Sequence, residues 1–250
     1  MWGQRNEKGH ISDEGAQCGA DQRIRMIKKL VILLSIAVCL CVGGRAQTFT
    51  SGGVLGVEYE LKILKGWHFT AEGELRFDCH FTHYNRAKLS VGTDYTFWQK
   101  RMKIGASYSF LNYHDREDQL FDNRHRVKAF VSLAPKFGQW KVGWRVMAQT
   151  TFRDERRGDY TFNPKTYLRN RLSVSYAIPR TSLKLHLSEE FWWRLYKPGE
   201  NIIDQLRSVA GLEYGIDRHH ALDFYLRYDN EVQVRNPEHV LYFGISYSFK

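Results

Sequence analysis

The sequence predicts an all-β protein, a single antiparallel transmembrane β-barrel of 12 strands, with 10 as the alternative count, behind a cleaved signal peptide. Three observations carry that expectation. Large apolar residues recur at every second position through most of the chain after Gln47, the period of an extended strand with one oily and one wet face. The alternating runs are longer than the five or six residues usual in soluble sheets, and close to the about 9–11 that a tilted strand needs to cross a bilayer. The connections alternate between tight turns and polar stretches, as in barrels with one neat and one elaborated rim.

The chain opens differently. Residues 1–25 are polar and patternless and read as an extension ahead of the true start at Met26. Residues 26–46 read as a signal peptide. Lys28 and Lys29 form the charged region, Leu30 to Val42 the apolar run, and Gly44-Arg45-Ala46 the small-x-small cleavage site. That run is too short to span a bilayer. Residues 47–250 form the barrel domain. Of the four cysteines only Cys79 falls in it, so no internal disulfide is expected. The whole chain carries a formal charge of +10. It shows no nucleic-acid motif and no concentrated basic stretch, so nucleic acid is not expected as a partner.

The strands follow in order. Leu55, Val57, Tyr59, Leu61 and Ile63 alternate with Glu58, Glu60 and Lys62, and Lys65-Gly66 turns the chain. Trp67 to Phe77 and Ala87 to Phe97 repeat the pattern, as do Met102 to Phe110, Val127 to Leu133 and Trp140 to Ala148. Runs near 167–176, 182–191, 205–216, 221–229 and 239–249 complete the series. This direct count is eleven. Single-chain bacterial barrels have even numbers, so a short strand from Thr48 ahead of Gly52-Gly53 is expected to make twelve. Dropping the first run makes ten.

Alternation alone leaves the oily face undecided, since a soluble barrel alternates too. An export signal, strand length and a wet face rich in mixed charge, Gly and Ser place the oily face in lipid. Trp67, Trp98 and Trp140 at the turn ends fit an aromatic girdle. With no long apolar helix after Gln47, only a closed barrel satisfies every backbone group in hydrocarbon. Lipid contact is expected for Leu55, Val57, Tyr59, Phe69, Leu75, Leu89, Val91, Ile104, Val142, Val146, Phe243 and Ile245. Val91→Arg should cost about 2–4 kcal/mol near the midplane and Ser90→Arg much less.

The last run, "LYFGISYSFK", resembles the C-terminal assembly signal of outer-membrane barrels, carried by Tyr242, Phe243, Tyr247 and Phe249. The resemblance implies recognition by the barrel assembly machinery. Lys250, one residue past Phe249, departs from it. The segment "GVEYELKILKGWHFTAEGELRF", Gly56 to Phe77, is similar to the Gram-negative outer-membrane family known as domain of unknown function 2490. That resemblance implies a cell outer membrane location and a barrel fold, and no chemistry.

The candidate site is the wet face. Glu58, Glu60, Glu72 and Glu74 form an acidic arc on adjacent strands. Arg76, Arg86, Lys88, Arg126, Lys128, Lys141, Arg145, Arg169 and Arg171 follow round the wall. Such a lumen either attracts anions through a small passive pore or is sealed by cross-strand ion pairs in a structural barrel. The alternative is an enzyme or surface receptor acting through the outer loops. His83, His114, Asp115 and His125 lie in or near those loops, and His186 and Ser188 share an inner face, without a recognisable triad pattern. Asp78, Cys79, His80 and His83 are metal-ligand types in one loop, yet a solvated loop is the simpler reading. No metal or cofactor is expected. Arg153, Arg156 and Arg157 suit lipopolysaccharide phosphates. Outer-membrane lipid is the remaining partner.

Overall fold

The computed structural model describes residues 48–115, 120–153, 163–195, 203–232 and 237–250. The extension 1–25 and the signal peptide 26–46 lie outside the described residues. Twelve strands appear: β1 (Thr48–Leu64), β2 (Trp67–Asp78), β3 (His83–Phe97), β4 (Met102–Asp115), β5 (Leu120–Leu133), β6 (Lys136–Phe137), β7 (Trp140–Arg153), β8 (Lys165–Ala177), β9 (Leu183–Leu195), β10 (Ile203–Gly215), β11 (His220–Glu231) and β12 (Glu238–Phe249). Among the described residues no helix is long and apolar enough to cross a membrane.

The wall has eleven staves, not the even number expected. β6 is a two-residue strand that pairs only with β7 inside a turn, while β5 pairs directly with β7. Every neighbouring pair of staves is antiparallel except the closing one. There β1 runs parallel to β12 from Thr48↔Glu238 to Tyr59↔Phe249. This corrects the wholly antiparallel barrel of 12 or 10 strands. The expected break at Gly52-Gly53 does not exist, because β1 runs unbroken through both glycines. They are there for close approach: a Cβ at Gly52 would sit 2.3 Å from the Phe77 carbonyl oxygen and 2.8 Å from the Tyr242 ring. An odd count makes the closing pair parallel, and it puts the start of β1 and the end of β12 at opposite rims.

Tight turns hold the rim where β12 ends. Lys65-Gly66 is closed by Gly66 at φ +85 and by a hydrogen bond from Thr96 N–H to the Gly66 carbonyl at 2.7 Å; a left-handed residue there favours glycine. Asp217, in the β10–β11 turn, accepts the His219 and His220 backbone N–H groups at 2.7 Å each. These bonds stabilise its ionised form and hold its carboxyl below the ordinary value. At the other rim the β2–β3 connection is also short, residues 79–82, where a longer loop was expected.

The faces are inverted relative to a soluble protein. All twelve residues expected in lipid contact occupy the outward register. Leu55 is 51% exposed, Leu89 66% and Phe243 48%. Among the described residues five hydrophobic side chains are buried, Val54, Leu111, Met147, Trp192 and Tyr242, against twelve polar or charged ones. Ser90 is a poor choice of tolerant inward position. Its hydroxyl donates to the Ser109 hydroxyl at 2.8 Å in a filled layer, so arginine there would overpack the lumen. Glu60, inward but open to water, is the better control. Glu189 is the one charged residue among the described outward positions along the belt, placed at the centre of β9 beside Ser208 of β10.

Candidate functional site

All thirteen charges expected in the lumen lie on the inward register, from Glu58 and Glu60 on β1 to Arg169 and Arg171 on β8. They do not form a uniform lining. The loop half of the lumen is packed with bulky side chains, and the turn half carries more small and exposed ones.

The packed layer contains two linked ion networks. In one, Glu74 accepts Arg76 Nη2 at 2.6 Å and Lys88 Nζ at 3.0 Å, and Lys88 reaches Glu72 at 2.5 Å. Tyr242 lies beneath both Arg76, at 4.9 Å from guanidinium to ring, and Arg227, at 5.3 Å. The Tyr242 hydroxyl donates to Asp78 at 2.8 Å. Arg86 donates to the Tyr113 hydroxyl. In the other network, Asp229 accepts Arg207 Nε at 2.7 Å and Arg227 Nε at 2.8 Å. Glu190 accepts Arg169 Nη2 at 2.7 Å and the Trp192 indole N–H at 3.2 Å. Arg169, 3.8 Å from the Trp192 ring, also donates to Gln149 at 2.6 Å. Arg207 stacks on the same indole at 4.8 Å.

Charge and aromatic surface together fill the cross-section. Arg76, Glu190, Arg227, Asp229, Trp192 and Tyr242 are each 8% exposed or less, and Leu111 is at zero. Burying so many ions is tolerable only because nearly every guanidinium has a carboxylate or a ring face to meet. Nearer the loop rim, Asp122 takes Arg124 at 2.8 Å and Arg153 at 2.9 Å, while Asp204 takes Arg194 and the Tyr167 hydroxyl. Arg153 is thus committed to Asp122, and Arg156 and Arg157 lie outside the described residues.

Below this floor several inward positions are small or water-exposed, although Phe130, Tyr225 and the buried Asp94 also face this part of the lumen. Gly92, Gly105, Ser107, Ser132, Gly143, Ser173 and Ser175 face the lumen, and Glu58, Lys62 and Lys141 are exposed. The ion pairs here are Asp94 with Lys103 at 2.9 Å and with His68 at 3.2 Å, Glu213 with Lys184 at 2.6 Å, and Asp223 with His186 at 2.7 Å. His186 is therefore held by Asp223. The nearby Ser188 hydroxyl is buried with no hydrogen-bonding partner, so the two do not form a nucleophile–base pair in this geometry. Asp78 is engaged by Asn85 and Tyr242, and His125 by the Tyr108 hydroxyl at 2.6 Å.

Residues 55–238 match the family described as "Protein of unknown function (DUF2490)". The chain belongs to the DUF2490 family. Two solved structures resemble this DUF2490 chain at low identity. One comes from "Unveiling the Mechanism Behind the in-meso Crystallization of Membrane Proteins", with a TM-score of 0.37, 10% identity, and coverage of 71% of this chain and 76% of that one. The other is an anion-selective porin from Comamonas acidovorans, with a TM-score of 0.34 and 13% identity over 77% of this chain and 55% of the porin. No curated protein matches the sequence.

The aromatic residues of the DUF2490 barrel divide by face. Trp67, Trp98 and Trp140 sit at the turn rim, Trp67 against Tyr95 at 5.2 Å and Trp140 against Tyr176 at 4.6 Å. Of the four C-terminal aromatics, Phe243, Tyr247 and Phe249 point outward, Phe249 stacked on Tyr59 at 5.2 Å across the closing seam. Tyr242 points inward and joins the packed floor. Sequence reasoning missed Glu190, Trp192, Arg207, Arg227 and Asp229. The wet register of the runs near 182–191, 205–216 and 221–229 pointed to four of them, while Trp192, an apolar residue just past its run, carried no such signal.

Proposed function

We propose that this protein is an outer-membrane barrel closed across its loop half and open as a charged vestibule at its turn rim. It acts as a structural and ligand-holding barrel, not as a free diffusion pore. The observation that carries this is the packed floor, in which Arg76, Glu190, Trp192, Arg227, Asp229 and Tyr242 leave almost no surface for water. The apolar outward face supports a membrane setting, because only a closed barrel or a helix satisfies its backbone in hydrocarbon. The signal-like segment 26–46 and the C-terminal resemblance to an assembly signal support the outer membrane, with the turn rim toward the periplasm.

The test is electrical. The purified protein, inserted in a planar bilayer and confirmed folded, should carry no steady current. Trp192→Ala combined with Arg207→Ala removes the stacked centre of the floor and should produce conductance steps. Steady steps from the wild-type barrel, with selectivity that changes on neutralising Arg145 or Glu72, would replace this reading with an open pore.

A further inference from the structure

We infer that the vestibule is a binding site for a small zwitterionic phosphate compound, its phosphate held by Arg145 and Arg171 and its ammonium group facing Glu58. This rests on the vestibule reading proposed above.

Two like-charge pairs stand on opposing walls. Arg145 of β7 lies directly opposite Arg171 of β8 in the strand register. Glu58 of β1 lies directly opposite Glu72 of β2. Like charges placed opposite each other on neighbouring strands destabilise a sheet. In the packed layer Arg76, Arg169, Arg207 and Arg227 meet carboxylates, whereas Arg145, Arg171 and Glu58, like Lys128 and Lys141, form no ion pair among the described residues. Glu190, the carboxylate across the register from Arg171, is occupied by Arg169 and Arg207. Glu72 is held by Lys88; Glu58 and Glu60 of β1 form no ion pair among the described residues, and of the two Glu58 lies at the level of the arginines.

The four residues share one level, each five or six residues in from the turn end of its strand. That level is the base of the vestibule. Arg145 is held in place by Phe130, whose ring lies 4.9 Å from its guanidinium. Below the four, Gly143, Ser173 and Ser175 are small inward residues on the β7–β8 side of the lumen. Two adjacent guanidiniums present paired N–H donors, the arrangement that suits the oxygens of a phosphate. A carboxylate across the same cross-section completes a site with separated charge. Acyl chains would find no apolar wall here, so the ligand is a free small molecule and not a lipid.

Calorimetric titration of the full-length protein in detergent tests this with two probes, phosphoethanolamine and inorganic phosphate. Phosphoethanolamine should bind saturably and more tightly than phosphate. Arg145→Gln and Arg171→Gln should each weaken both probes by about tenfold or more. Glu58→Gln should remove the advantage of phosphoethanolamine and leave phosphate binding in place. Lys62→Gln, which removes a charge four residues nearer the turn rim than Glu58 on β1, should leave both affinities unchanged. No saturable binding, equal affinity for the two probes, or the same loss in Lys62→Gln as in Arg145→Gln would each overturn the proposal. Heat-shifted gel mobility confirms folding of every variant. A silent barrel that takes up neither probe keeps the closed floor and loses the site. A conducting barrel that binds phosphoethanolamine keeps the site and loses the closed floor.

Discussion

Asp229→Ala should destabilise the barrel by about 3–5 kcal/mol, the cost of leaving a buried charge without its partner. Asp229 accepts from Arg207 at 2.7 and 3.2 Å and from Arg227 at 2.8 Å, and it is 6% exposed. Removing it leaves Arg227 without its carboxylate beside Arg76, with which it shares the Tyr242 ring, and leaves Arg207 only the longer contact to Glu190 at 3.7 Å. No other carboxylate is free to turn toward them, since Glu74 is held by Arg76 and Lys88, and Glu190 by Arg169. Urea unfolding in detergent micelles, followed by tryptophan fluorescence, measures the loss. Asp229→Asn, which keeps an acceptor oxygen, should fall between the wild type and the alanine variant. A loss below about 1 kcal/mol, the range of exposed ion pairs, would mean that water reaches this layer and that the floor is not closed.

Val91→Arg should cost about 2–4 kcal/mol in a bilayer. Val91 is 47% exposed on the outward face, near the middle of β3 and flanked in register by Ala71 and Tyr108. Water would welcome an arginine there, and hydrocarbon would not. Glu60→Arg is the matched control, because it places the same side chain on the inward, open side of β1. Unfolding in lipid vesicles should separate the two variants clearly. In water-soluble surroundings Val91→Arg would be nearly neutral, so equal costs for the pair would remove the membrane reading of this face.

The face of each side chain was legible in the sequence because a strand has a period of two and no freedom to drift. From that alone, Leu89 could be placed outside and Glu72 inside. The stave count was legible too, as eleven alternating runs. The rule of even numbers points away from it, toward a break at the glycine pair 52–53 that β1 does not have. What alternation cannot carry is the stagger between strands, which decides who meets whom. Arg145 opposite Arg171, and Arg227 sharing Asp229 with Arg207, are consequences of register. So is the fate of Tyr242, whose wet-side position was evident but whose place between two arginines was not. The packed layer was illegible for the same reason: charge on the wet face is compatible with a channel or a plug, and only the register says which side chains touch.

The parallel seam between β1 and β12 gives the molecule a polarity that an even barrel lacks. With an even count, both ends of the wall hang from the same rim and report one compartment. Here Thr48 starts at the loop rim and Phe249 finishes at the turn rim. Epitopes inserted just before β1 and just after β12 would therefore answer to proteases from opposite sides of an intact membrane. The seam also joins the two segments farthest apart along the domain, with no hairpin to guide them. Cyclising the wall is thus a long-range event with a large loop-closure cost, and the Tyr59–Phe249 stack lies at the joint where that ring is fastened.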